Sequence, residues 1–181
     1  MREGRGMRIV LGVTGSIAAY KAAELTRLMV KEGWDVHVVM TSAAMEFVTP
    51  LTFQTLSRNP VGTDMFAPPR EWKPEHISLA ECADAFVVAP ASADVIAKLA
   101  HGLADNLLTT TALACSAPLV VAPAMNDAMF DHPATQENLR ILQERGATIV
   151  APGVGELACG SEGRGRMAEP ALIMDAVFAL Q

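Results

Sequence analysis

Cysteine is scarce in this chain: Cys82, Cys115 and Cys159 are the only three among 181 residues. An odd number at wide spacing fits reduced thiols rather than a disulfide framework. No CxxC pair and no His/Cys cluster has metal-ligand spacing, so no metal site is expected. Charge is also sparse. Only 19% of residues are charged and the net charge is -6, which argues against general attraction to nucleic acid or anionic membranes. No apolar run approaches the roughly 20 residues of a transmembrane helix. Ile9–Val13 is too short for the core of a signal peptide. These gaps together predict a cytoplasmic protein with no membrane partner. Internal repeats and low-complexity tracts are lacking too.

What the chain has is apolar material. Hydrophobic residues make up 51% of it, ample for a buried core, and the length fits a single domain over residues 1–181. Residues 1–7 read as a short leader before the first strand. Continuous apolar runs point to parallel strands covered on both faces. Strands are predicted over Arg8–Val13, Asp35–Met40, Ala85–Ala89, Leu119–Ala122 and Ala147–Val150. Helices are predicted over Ile17–Lys31, Pro50–Leu56, Ile77–Cys82, Val95–Ala100, Asn106–Cys115, Thr135–Arg145 and Ala171–Leu180. Thr41-Ser42 is placed to cap a further short helix. The segment from Asn59 to Pro74 holds four prolines and reads as loop. Pro152–Glu169 carries five glycines and reads as a mobile flap over substrate. The alternation implies a three-layer α/β fold, flavodoxin-like or Rossmann-like, with a doubly wound parallel sheet. Ligands of such sheets sit beyond the carboxyl ends of the strands.

The first strand-loop-helix unit reads Gly12-Val13-Thr14-Gly15-Ser16-Ile17-Ala18-Ala19-Tyr20-Lys21. Small residues let the backbone approach a ligand, and the helix N-terminus presents N–H groups and a positive dipole end. The Thr14 and Ser16 hydroxyls add donors. The loop lacks GxGxxG and lacks GxxxxGK followed by Ser or Thr, which favours a monophosphate cofactor over a dinucleotide or nucleoside triphosphate. The plain alternative is a tight turn with no ligand. Three strand ends carry small polar residues: Thr14–Ser16, Thr41-Ser42 and Ser92–Asp94. All would face one rim of the sheet, where they suit the phosphate, ribityl chain and ring edge of a flavin.

Gly12–Lys21, His76-Ile77-Ser78-Leu79, Ala89–Asp94, Ala104–Thr109, Pro123–Met129 and Ala158–Pro170 follow one another in a familiar order. In these segments the chain resembles the homo-oligomeric flavin-containing cysteine decarboxylases, and the resemblance runs from Met7 to the end. It implies bound FMN, held by Gly15, Ser16, Ile17, Thr41, Ser42, Ser92, Ala93, Asp94, Val95 and Ala124. It also implies trimers or dodecamers with sites between neighbouring subunits. The branch it is most similar to decarboxylates 4'-phosphopantothenoylcysteine, a small phosphorylated thiol, to 4'-phosphopantetheine in coenzyme A biosynthesis. Bifunctional members of that branch carry a second, CTP-using ligase domain, for which this chain has no room. A stand-alone decarboxylase or an excised half is therefore expected. In the implied chemistry, oxidation of the thiol end to a thioaldehyde provides the electron sink for loss of carbon dioxide. The resulting enethiol is then reduced.

The resemblance assigns roles residue by residue. His76 is the active-site base, and the reference histidine pKa of about 6.5 suits proton transfer near neutrality. Its bland alternative is an exposed or capping histidine. Asn126 holds the substrate carboxylate, with a turn residue as the alternative. Met125 and Arg166 are candidates for further substrate contacts, and Met129 for packing. Cys159 is the lid thiol that donates a proton to the enethiol. Cys82 and Cys115 read as core residues, and His37 and His132 receive no role. Three positions depart from the pattern: Glu75 stands where Gly is frequent, Phe130 where Trp or Tyr is frequent, and His101 where a small residue is usual. Three other readings stand beside this one. A peptidyl-cysteine decarboxylase of lantibiotic maturation would not need Cys159. A flavin-binding regulatory subunit would not need every catalytic group. A flavin prenyltransferase of related fold would carry other signatures.

Overall fold

Alternate residues of the first strand, β1 (Arg8–Val13), feed two different cores: Ile9, Leu11 and Val13 enter one, Val10 the other. This is why the strand reads as an unbroken apolar run. A strand buried on both faces needs apolar side chains at odd and even positions alike. The structure is a computed structural model, and it describes residues 6–68, 72–156 and 162–181.

After β1 come α1 (Ala19–Lys31), β2 (Asp35–Met40), α2 (Ser42–Met45), α3 (Pro50–Ser57) and α4 (Glu75–Cys82). Next are β3 (Ala85–Ala91), α5 (Ala93–His101), α6 (Leu107–Ala114), β4 (Leu119–Pro123), α7 (Asp127–Phe130) and α8 (Pro133–Glu144). The chain closes with β5 (Thr148–Ile149), β6 (Gly153–Glu156), β7 (Glu162–Arg166) and α9 (Pro170–Phe178). The main sheet is parallel throughout, in the order β2-β1-β3-β4-β5. Helices α1 and α9 cover one face, with Leu25, Met29, Ile173 and Val177 in the core. Helices α4, α5, α6 and α8 supply the other core through residues such as Leu79, Ile96, Leu108 and Leu142. The chain reverses its winding direction between β1 and β3, and a crevice is expected there.

The predicted α/β class and the limits of β1 and β2 agree with the structure. Elsewhere local chemistry moves the boundaries. Helix α1 starts at Ala19, not Ile17, because residues 14–18 form tight turns: the Ser16 N–H donates to Thr14 O and the Ala19 N–H to Ser16 O, both at 2.9 Å. Strand β3 runs past the predicted end at Ala89 to Ala91. The glycine-rich stretch is not plain loop: β6 and β7 form an antiparallel ribbon. Of the leader, residues 1–5 lie outside the described residues, while Met7 packs on the core and its carbonyl accepts from the Asp35 N–H at 2.8 Å.

The β3–β4 register shifts between Val88 and Ala91. At this irregularity one hydroxyl satisfies two backbone groups. Thr14 Oγ1 donates to Pro90 O at 2.7 Å and accepts from the Ser92 N–H at 2.8 Å. Thr14 is fully buried, so neither bond has water as a ready substitute. Thr14→Val, nearly isosteric, should therefore cost about 2 kcal/mol of unfolding free energy at unchanged m-value, measured by urea denaturation.

Candidate functional site

Three strand ends meet at one cavity. The turn after β1 brings Gly15, Ser16 and Ile17; the end of β3 brings Ser92 and Ala93; the end of β4 brings Ala124, Met125 and Asn126. Strand β7 adds Arg166. The volume is about 580 Å³, ordinary for a cofactor or small-molecule site. A larger groove of about 830 Å³ runs between β2 and α4, past Arg8, Asp35 and Trp72. The smaller cavity is the better candidate because it lies at the carboxyl ends of the strands.

Local structure explains each wall. Ser92 is the N-cap of α5, its Oγ accepting from the Val95 N–H at 3.4 Å. Asn126 is the N-cap of α7, its Oδ1 accepting from the Ala128 N–H at 3.0 Å. Ala18 occupies the N-cap of α1 and provides no side-chain cap of its own. The Ser16 hydroxyl accepts from the Ala18 N–H at 3.3 Å. The Thr14 hydroxyl, expected as a ligand donor, is instead spent within the fold.

Glycines decide two close approaches. A Cβ on Gly15 would lie 2.5 Å from the Ala43 Cβ, so the small residue there lets α2 pack against the loop as well as opening the cavity. Gly165, with φ near +144°, lies on the turn after β4, where a Cβ would come within 2.2 Å of Met125 O. Its carbonyl accepts from the Met125 N–H at 3.0 Å. The glycine-rich ribbon is thus seated on the loop that carries Asn126.

Several expected residues fall elsewhere. Thr41 caps α2 and its N–H donates to Val13 O, so Thr41 and Ser42 sit beside Gly15 but not in the cavity lining. Asp94 is exposed and paired with Lys98 at 3.2 Å. Val95 lies in the core on the α5 side, and only its N–H faces Ser92. His76 is on α4, which packs against α6, and it is not among the residues lining the cavity. Its Nδ1 is buried with no hydrogen-bond partner among the described residues. Cys159 lies outside the described residues.

The sequence reading passed over Lys21. Its side chain is 6% exposed, lines the cavity and donates to Glu169 Oε1 at 2.8 Å. The signal was present: Ala18, Lys21, Ala22 and Leu25 form one helical stripe, and a lysine on a buried stripe calls for a partner. Arg166 Nη2 approaches the same oxygen at 3.3 Å. The hydrogen bond from Lys21 holds the Glu169 carboxyl below the usual glutamate range, with help from the charges of Lys21 and Arg166.

The Flavoprotein family model matches residues 1–181. The coenzyme A biosynthesis bifunctional protein CoaBC of Vibrio cholerae serotype O1 is 52% identical over 170 residues, covering 94% of this chain. That match covers 43% of the relative's own length, so the chain spans less than half of that protein. Among solved structures, a PPC decarboxylase mutant complexed with pantothenoylaminoethenethiol superposes at a TM-score of 0.87 with 36% identity, over 97% of this chain and 98% of the other. The FMN binding protein AtHal3 superposes at 0.83, also with 36% identity, over 97% and 96%.

Two outcomes follow from this geometry. Gly165→Ala should unseat β7, and the Met125 amide should then exchange with solvent at least about tenfold faster by hydrogen-exchange measurement. A carboxyl held low in the fold adds stability above its ordinary value, near 4.5 for Glu169, and loses it as pH falls through the lower folded value. The stability difference between the wild type and Glu169→Gln should therefore be constant at neutral pH and shrink only below about pH 4.5, read by denaturation across pH.

Proposed function

The chain belongs to the Flavoprotein family, and from that premise we propose that its cavity holds FMN and decarboxylates 4'-phosphopantothenoylcysteine to 4'-phosphopantetheine in coenzyme A biosynthesis. The observation that carries this reading is the convergence of Gly15–Ile17, Ser92-Ala93 and Ala124–Asn126 on one cavity beyond the strand ends. The relatives support it: one is a coenzyme A biosynthesis enzyme, one a PPC decarboxylase, one an FMN binding protein.

The residues present fit FMN. The turn before α1 has small side chains and no side-chain cap, which suits a phosphate at a helix N-terminus. Ile17 and Tyr20 line the cavity while 57% and 58% exposed, and Met129 is half exposed beside them. Such apolar surface suits a flat ring. When bound, FMN supplies the two-electron oxidation of the thiol that makes loss of the neighbouring carboxylate possible.

The chain's own groups do the rest. Asn126, oriented by the Ala128 N–H, receives the carboxylate through hydrogen bonds and leaves it ionised. Arg166 meets an anionic group of the substrate, and Met125 packs beside it. The segment 152–169 covers the substrate and keeps water out, and its Cys159 donates the final proton. His76, away from the cavity of its own chain, serves the cavity of a neighbouring copy in a trimer or dodecamer. There the imidazole takes the thiol proton. The exposed apolar rim at Ile17, Tyr20 and Met129 supports a shared site. Among the described residues no helix is long and apolar enough to cross a membrane. A cytoplasmic location is part of this proposal.

The test is direct. The purified protein should be yellow and should convert 4'-phosphopantothenoylcysteine to 4'-phosphopantetheine, followed by mass spectrometry. Asn126→Asp, which sets a like charge against the carboxylate, should lower kcat/KM by about 100-fold or more. Cys159→Ser should divert the product to the enethiol. A colourless protein that stays inactive with added FMN overturns the flavin assignment, and a yellow protein without turnover overturns the decarboxylase assignment.

A further inference from the structure

Lys21 lies on the buried stripe of α1, and an ammonium taken out of water is costly unless paired. Its partner, Glu169, comes from 148 residues further along the chain. Glu169 stands at the N-cap of α9, where an acidic side chain often caps its own helix, yet it makes no cap bond. The carboxylate turns instead to two cations, Lys21 Nζ at 2.8 Å and Arg166 Nη2 at 3.3 Å, both through Oε1. One oxygen thereby joins α1 to the end of β7. Lys21 and Arg166 both line the cavity, and with Glu169 the cluster carries one net positive charge in a chain of net charge -6.

The two cations differ in freedom. Lys21 is enclosed, whereas the Arg166 side chain is 45% exposed. The bond from the Met125 N–H to Gly165 O fixes the ribbon backbone but not the guanidinium. A long, half-exposed arginine samples many rotamers unless an anion holds it. The anion here is itself held by a buried lysine.

We propose that Lys21 is a positioning residue that, through Glu169, fixes the Arg166 guanidinium on the cavity wall and latches the base of the β6–β7 ribbon to α1. The identity of the substrate anion that Arg166 meets rests on the decarboxylase reading above; the latch is a property of the fold alone.

The variants are Lys21→Met, Lys21→Arg, Glu169→Gln and the Met/Gln double variant, each loaded with FMN. Lys21→Met and Glu169→Gln should each raise KM for 4'-phosphopantothenoylcysteine by about tenfold while kcat stays within about threefold. Their effects should not add in the double variant, and Lys21→Arg should restore most of the loss. Without substrate, tryptic cleavage after Arg164 and Arg166 should run about fivefold faster in Lys21→Met and Glu169→Gln. Affinity for FMN, read by flavin fluorescence, should change by less than about twofold. Unchanged KM and unchanged cleavage in both single variants overturn the proposal, as does a loss confined to FMN affinity. If Lys21→Met does not fold, the exposed Glu169→Gln decides by the same criteria. If the wild type gives no turnover on this thiol, the decarboxylase reading fails and cleavage alone decides the latch: faster in both variants upholds it, unchanged overturns it.

Discussion

A parallel sheet covered on both faces can offer its backbone to a ligand only at the strand ends, where ladder bonds stop and polar groups must find other partners. In this protein those partners form a continuous line. Thr14 Oγ1 binds Pro90 O and the Ser92 N–H, joining β1 to β3. The Ala124 N–H donates to Ala91 O at 3.0 Å, joining β3 to β4. The Met125 N–H donates to Gly165 O, joining β4 to the ribbon. The floor of the cavity is thus a hydrogen-bonded seam across four chain segments, with the lining residues Ser92, Ala124, Met125 and Gly165 bonded directly into it. The register shift in β3 belongs to this seam, because it exposes the two groups that Thr14 satisfies.

What the sequence revealed follows from what periodicity can encode. Strands β1 and β2 were readable to the residue because their apolar runs stop at polar turns on both sides. The gathering of Ser16 and Ser92 at one rim was readable too, since topology alone places strand ends together, whereas Thr41-Ser42, read with them, falls outside the cavity lining. The ribbon was not. Gly153, Gly155, Gly163 and Gly165 leave it no alternation of apolar with polar side chains, and its strands exist through pairing with each other and seating on residues 125–127. Composition showed flexibility there while contact determined order. His76 and Val95 mark a further limit: a motif places a residue in sequence order but not on a face of its helix. Val95 lies two positions beyond the cavity-lining Ala93 and packs into the core.

Two carboxylates show how local context sets opposite uses for one chemistry. Asp35, at the start of β2, is pushed up by partial burial, but hydrogen bonds from Asn59, His37 and Arg8 outweigh this and hold it low. It ties the starts of β1 and β2 to the loop after α3, far from the strand ends. Glu169 gathers its two cations at the cavity itself. Both keep an ionised carboxylate within the fold, yet only the second sets its cations, Lys21 and Arg166, in the cavity at the carboxyl ends of the strands. A charge count of the whole chain hides that difference, because the field that matters is the local one.

The cavity is walled by the sheet end, the α1 turn and the ribbon, but its rim at Ile17, Tyr20 and Met129 remains apolar and exposed. Decarboxylation through a reactive thiol intermediate requires that water be kept out and that a proton acceptor stand close to the sulfur. Among the described residues, neither condition is met by the strand-end groups of one chain. The rim needs a cover of apolar character, and the sulfur needs a proton acceptor beside it. On the proposed chemistry, a single arrangement answers both demands: the α4 region of one copy set against the cavity of another. It closes the rim and brings the imidazole to the substrate. On that proposal the oligomer is part of the catalytic site, since the groups proposed to hold the substrate and the group proposed to move its proton belong to different copies of the chain.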